Sequence, residues 1–163
     1  MIIYKKCLDC GSRETEELKV DEYSCVECGS KWTKEEAFEA AYDDINVMKV
    51  SYGGFFGGYN EIDIDIENSE VSLGFTRGKV ETTVRELNKK EITELMNMLK
   101  EVDILNWKRS YDNPYVLDGT QWDITLQREA GDLVRSGNNE FPKGWDKFGS
   151  GIEKIAQASI FQY

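Results

Sequence analysis

Histidine is missing from all 163 residues. Its absence removes Ser-His-Asp and Cys-His nucleophile systems, together with every catalytic metal centre that relies on imidazole ligands. Long apolar runs are missing too. Nowhere does the chain reach the roughly eighteen consecutive apolar residues that a membrane-spanning helix needs. The opening Met-Ile-Ile-Tyr-Lys-Lys has no apolar stretch of signal-peptide length, so the expectation is a soluble, cytoplasmic protein. Positive charge is scarce: 20 Lys and Arg stand against 31 Asp and Glu, a formal net charge of −11. The deficit is general, since residues 1 to 34 carry six basic and seven acidic side chains and the remainder fourteen and twenty-four. Most non-specific affinity for nucleic acid comes from phosphate neutralisation by Lys and Arg, so this balance disfavours DNA or RNA as a general partner.

Cysteine is sparse and concentrated. The four present form two copies of one turn, Cys7-Leu8-Asp9-Cys10-Gly11-Ser12 and Cys25-Val26-Glu27-Cys28-Gly29-Ser30. Two residues between the members of a pair bring both sulfurs to one point, and two such turns complete a tetrahedral all-sulfur shell suited to Zn²⁺. Disulfides are the alternative use of four cysteines, but they belong to oxidising compartments. Gly11 and Gly29 follow the second cysteine of each pair, where a positive φ lets backbone amides turn toward the sulfurs. Glu17 to Tyr23 reads as a hairpin arm, and Ser30 to Thr33 as the strand leaving the second turn.

Over about thirty-four residues this pattern resembles the zinc-ribbon family, with Cys7, Cys10, Cys25 and Cys28 matching its ligands and Tyr23 and Trp32 its flanking aromatics. The resemblance implies one structural Zn per chain and a small metal-dependent fold. It implies no single activity, because ribbons occur in transcription, translation, redox and purely structural settings. An all-cysteine site without histidine or carboxylate lacks the open position of catalytic zinc. Iron, as in rubredoxin-like sites, is the competing metal, although the fourteen-residue spacer is short for that family. A module this small cannot rely on a core alone, so metal binding should supply on the order of 10–16 kcal/mol of its folding energy.

Thr33-Lys34-Glu35-Glu36 has the form of a capping box, which predicts a helix from about Lys34 to Asp43–Asn46 with Phe38, Ala41 and Ile45 on one face. Period-two alternation predicts strands over Val47 to Tyr52, Glu61 to Glu67, Glu70 to Thr76 and Val80 to Glu86, with turns at Asn68-Ser69 and Arg77-Gly78. Asn88 with Glu91 predicts a second capped helix to about Val102, bearing Ile92, Leu95, Met96 and Leu99. After an irregular stretch through Trp107 and Pro114, a hairpin is expected over Gln121 to Arg128 and Leu133 to Ser136, with Trp122, Ile124 and Leu126 pointing one way. A last helix should start at Pro142 and carry Trp145, Phe148, Ile152 and Ile155. The expected fold class is α+β: a ribbon at 1–34, a linker helix at 35–46 and an antiparallel sheet packed with helices at 47–163. The combination of Gly-Gly-Phe-Phe-Gly-Gly, Asp-Gly-Thr-Gln-Trp and Ser-Gly-Asn-Asn-Glu-Phe-Pro-Lys-Gly-Trp is similar to a group of uncharacterised bacterial proteins, which implies no function.

Several segments of the larger part admit two readings. Gly53 to Gly58 could cradle a phosphate, but it lacks a following helix and the Lys-Ser/Thr pair, and reads more simply as a hairpin connection with Phe55 and Phe56 folded over the core. Were those two aromatics exposed, a protein contact would be indicated. Glu61, Asp63, Asp65 and Glu67 could bind Ca²⁺ or Mg²⁺, or form a solvated sheet face. Asp118 or Asp123 with Glu129 could supply the acid and base of a carboxylate-dependent hydrolase, and Asp118-Gly119 and Ser136-Gly137-Asn138-Asn139 also read as turn formers. Trp107, Trp122 and Trp145 fit a core better than a sugar platform. These observations favour a non-enzymatic zinc-binding protein that binds or regulates another protein. A nucleic-acid-associated ribbon and a carboxylate-dependent hydrolase are the alternatives.

Overall fold

The computed structural model describes residues 3–76 and 82–161. The chain divides into two compact units, Met1–Asp44 and Ile45–Tyr163. The architecture is α+β in both.

In the first unit, β1 (Thr15–Lys19), β2 (Glu22–Cys25) and β3 (Lys31–Thr33) form an antiparallel three-stranded sheet in that order. The β1–β2 turn passes through Asp21, whose φ of 61° a short polar side chain tolerates. Helix α1 (Lys34–Asp43) follows directly. Its capping box is formed as the sequence predicts: Thr33 Oγ1 accepts from Glu36 N at 3.1 Å, and Thr33 N donates to Glu36 Oε2 at 2.7 Å. The buried face differs from expectation. Ala37 and Tyr42 are buried while Phe38 and Ala41 are only half-buried, and Ile45 opens the next strand instead of closing the helix. Ala37 enters one buried cluster with Cys7, Tyr23, Cys25 and Trp32, so the helix helps to fill the core of this unit.

The second unit is a seven-stranded sheet in the order β7-β6-β5-β4-β9-β10-β8. Its strands are β4 (Ile45–Gly54), β5 (Gly58–Asp65), β6 (Glu70–Phe75), β7 (Thr83–Glu86), β8 (Ser110–Asp112), β9 (Gln121–Arg128) and β10 (Leu133–Asn138). The predicted meander is present, and the second hairpin extends the same sheet because β9 pairs with β4. The stretch expected to be irregular supplies β8, which pairs in parallel with β10. Three residues with no alternation give no strand signal of their own; the neighbouring ladder recruits them. The predicted turn at Asn68-Ser69 forms, with Asp65 accepting from Asn68 N and Nδ2 at 2.9 and 2.8 Å. Strand β5 therefore ends at Asp65, and Glu67 lies in the turn. The turn expected at Arg77-Gly78 and the start of the strand expected at Val80 lie outside the described residues.

One face of this sheet is apolar: Met48, Val50 and Tyr52 stand between Ile62 and Ile64 on β5 and Trp122, Ile124 and Leu126 on β9, all buried. Helix α2 (Lys89–Glu101) buries Leu95, Met98 and Leu99, and its Asn88–Glu91 capping box closes with two bonds of 2.9 Å. Helix α3 (Trp145–Ala156) buries Trp145, Phe148, Ile152 and Ile155. It begins three residues later than Pro142 suggested, because Gly144, at φ 90°, reverses the chain between the proline and the first turn. Trp107, Trp122 and Trp145 are core residues, with ring centroids 4.7 to 6.3 Å apart. The Trp122 indole lies across Gly137 of β10 and donates to Glu140 O at 2.9 Å. Gly137 thus sits within a strand, not in the loop that the run Ser-Gly-Asn-Asn suggested.

Candidate metal centre

Each cysteine pair folds into the same turn. Cys7 N donates to Ser12 O at 2.8 Å and Gly11 N to Cys7 O at 3.1 Å; in the second copy Cys25 N donates to Ser30 O at 2.8 Å and Gly29 N to Cys25 O at 3.0 Å. Gly11 and Gly29 share a φ of 74°, the left-handed conformation that the sequence required of them. Strand β2 delivers Cys25 at its end, and pairing of β1 with β2 places Thr15 opposite that cysteine. Ser30 Oγ donates to Asp9 Oδ2 at 2.5 Å, tying one turn to the other. Beneath them, Tyr23 and Trp32 are buried, and Trp32 Nε1 donates to Tyr4 O at 2.9 Å.

The four Sγ atoms all lie within 4.8 Å of one another. The shortest separations are Cys7–Cys28 at 3.6 Å and Cys10–Cys25 at 3.5 Å, two edges that share no vertex. Four thiolates around one ion at about 2.3 Å would have edges of about 3.8 Å. The residues present therefore fit a four-coordinate ion, and these cysteines can hold a metal. Cys7 and Cys25 are buried and Cys10 and Cys28 exposed, so each turn offers one inner and one outer ligand. Cys10 N points at Cys7 Sγ at 3.5 Å. That amide is the main reason the Cys7 thiol is pulled down to about 6. At Cys10 the Ser12 amide acts in the same direction, but the Cys25 and Cys28 sulfurs outweigh it and the thiol is pushed up to about 12. Four thiolates in one place repel one another, so a cation is what lets all four ionise together, and loading the site releases protons.

Among the described residues, these cysteines are the group of three or more ligands close enough to share an ion. The acidic strand does not make a second one. Glu61, Asp63 and Asp65 share the open face of β5, but Glu61 accepts from Ser51 at 3.1 Å, Lys49 pairs with Asp63 at 3.9 Å, and Asp65 is held by Asn68, whose side chain keeps its carboxyl below the usual range.

The three carboxylates considered for hydrolysis are not brought together. Asp118 precedes β9, Asp123 stands on its open face and Glu129 follows it, so Asp123 and Glu129 are separated by roughly 20 Å of strand, against the 5–9.5 Å that paired glycosidase carboxylates keep. Desolvation among neighbouring strands raises the Asp123 carboxyl even though the residue as a whole is exposed.

Gly53 to Gly58 is the β4–β5 hairpin, with Phe55, Phe56 and Gly57 at its tip. The two phenylalanines do not fold over the core: Phe55 is 88% and Phe56 69% exposed. A tip of only three residues cannot bend back onto the sheet that it closes. Sequence reading did not find Leu117, which lines a groove with them, or Tyr115, 94% and 93% exposed in the loop before β9; an isolated apolar residue in a polar loop carries no periodic signal. No helix among the described residues is long and apolar enough to cross a membrane. Comparison with protein-family models and with curated proteins finds no match to this chain, so it is the geometry above that bears on function.

Proposed function

We propose that this is a non-enzymatic, zinc-binding protein whose role is to bind or regulate another protein. The observation that carries the reading is the four-sulfur cluster, whose closest edges of 3.5 and 3.6 Å approach those of a tetrahedral zinc–thiolate site. An all-cysteine shell leaves no open position for water, so the zinc is structural and the ribbon is a folded platform. The exposed aromatic tip of the second unit meets the condition under which a protein contact is indicated. Fourteen basic against twenty-four acidic residues beyond position 34 make a protein a better partner than nucleic acid.

Elemental analysis of protein purified from its native source, paired with circular dichroism before and after chelation, tests the metal half. One zinc per chain, with ribbon signals lost on chelation and the second unit still folded, supports it. Iron in place of zinc, or no metal, would overturn it. Co-purification from native lysate of the metal-loaded chain tests the other half, and failure to retain any partner would count against the interaction role.

A further inference from the structure

The β4–β5 tip and the loop before β9 emerge at the same end of the sheet, because Gly53 pairs with both Tyr59 and Gln121. Phe55, Phe56 and Leu117 with Asp118 and Gln121 line a shallow groove of about 220 Å³, and Phe55 and Phe56 with Tyr59 and Thr76 line a second of about 340 Å³. The rings of Phe55 and Phe56 meet edge to face at 5.3 Å, which leaves aromatic surface turned outward. Such a cluster is costly to leave in water and is the kind of patch that marks an interaction site.

What covers it follows from charge. The sheet face that continues from the groove is the one opposite the core. Register places Glu61, Asp63, Asp65, Glu70, Glu86 and Asp123 on it. Lys49 is its only cation among the described, paired positions, and it is already bridged to Asp63. Among the described residues the groove lining includes Asp118 and no basic side chain. A second copy would set this acidic face, in a chain of net charge −11, against its equal. Anionic lipid or nucleic acid would be repelled in the same way. A polypeptide that alternates aliphatic side chains with Lys or Arg satisfies both features: its aliphatic groups enter the grooves beside Phe55, Phe56 and Leu117, and its cations meet Asp118, the open-face carboxylates and the aromatic faces.

We propose that the Phe55–Phe56 hairpin tip with Leu117 and Asp118 is the docking site for a basic, aliphatic-rich segment of a partner protein. This rests on the interaction reading above and specifies its surface and chemistry.

The test titrates a fluorescein-labelled Leu-Lys repeat peptide into the full-length, metal-loaded chain and follows anisotropy, with a Ser-Lys repeat of equal charge and a Leu-Glu repeat as comparators. The Leu-Lys peptide should bind at least roughly tenfold more tightly than either, and Phe55→Ser with Leu117→Ser should weaken it roughly tenfold or more. Both residues are exposed, so the double variant should keep the wild-type melting temperature. Asp118→Asn should weaken binding less, and added salt should erase its effect. Equal binding of the Ser-Lys repeat, or no response to the double variant, overturns the proposal. So does a dimer in sedimentation, or flotation with phosphatidylglycerol vesicles, that the same variant abolishes. A native partner still retained by the double variant would refute this inference alone, whereas absence of any native partner for the wild type would overturn the interaction reading with it.

Discussion

Gly137→Ala is the substitution whose outcome is most tightly bound to the packing of this sheet. In an ordinary strand interior, replacing glycine with alanine stabilises by up to about 1 kcal/mol, because the unfolded chain loses freedom. Here the added Cβ would overlap Nε1, Cε2 and Cζ2 of the Trp122 indole. The ring cannot step aside freely. It is fully buried, its Nε1 donates to Glu140 O at 2.9 Å, and Trp107, Tyr111 and Trp145 surround it at centroid distances of 4.7 to 6.3 Å. Overpacking of this kind costs about 1–3 kcal/mol. Moving the indole off Glu140 strands a buried N–H at about 1–3 kcal/mol more. The expected loss is about 2–6 kcal/mol, a large part of the roughly 5–15 kcal/mol that an ordinary domain has. With a urea slope of about 2 kcal/mol per molar, the midpoint of the second unit should fall by about 1–3 M in near-ultraviolet circular dichroism. Trp122→Ala removes the overlapping ring, so the double variant should cost less than the two single changes together, with a coupling well above the roughly 0.5 kcal/mol seen for independent sites. A Gly137→Ala protein as stable as the wild type, or a double variant that is simply additive, would refute the packing argument.

Asn88→Ala removes the acceptor that caps α2 and should cost about 1 kcal/mol in urea unfolding. The Asn88 amide, and after it Arg85 at 2.8 Å, hold the Glu91 carboxyl below its ordinary value. A group depressed in the folded state contributes stability above its unfolded pKa and loses it as pH falls through the folded one. Acidification should therefore lower the melting temperature, and Glu91→Gln should remove part of that acid-side dependence; an unchanged slope would contradict the assignment. Glu153 accepts from the backbone of Ile160 and Phe161 at 2.7 and 2.9 Å, so Glu153→Ala should cost about 2 kcal/mol and expose those two amides to hydrogen exchange. Cys25→Ser leaves three sulfurs and should abolish retention of the metal through gel filtration while the second unit stays folded.

What the sequence determined by itself was everything written in short range. Two Cys-x-x-Cys-Gly turns announce a cluster of four sulfurs that could hold an ion, because four residues suffice to aim two sulfurs, and the capping boxes at Thr33 and Asn88 set helix starts because donor and acceptor lie three residues apart. Alternation over Ile62 and Ile64, and over Trp122, Ile124 and Leu126, gave the α+β class and the inner face, since a strand's side chains change sides at every step. Contacts across the chain were decided only by tertiary structure. That β9 joins β4, so that meander and hairpin become one sheet, is a matter of ladder pairing between residues more than sixty positions apart. Strand β8 exists because β10 offers it an edge. Gly137 is a strand residue because an indole from β9 needs its missing Cβ. That Phe55 and Phe56 stand beside Leu117 depends on two loops meeting at one sheet end, which neither loop's residues encode alone.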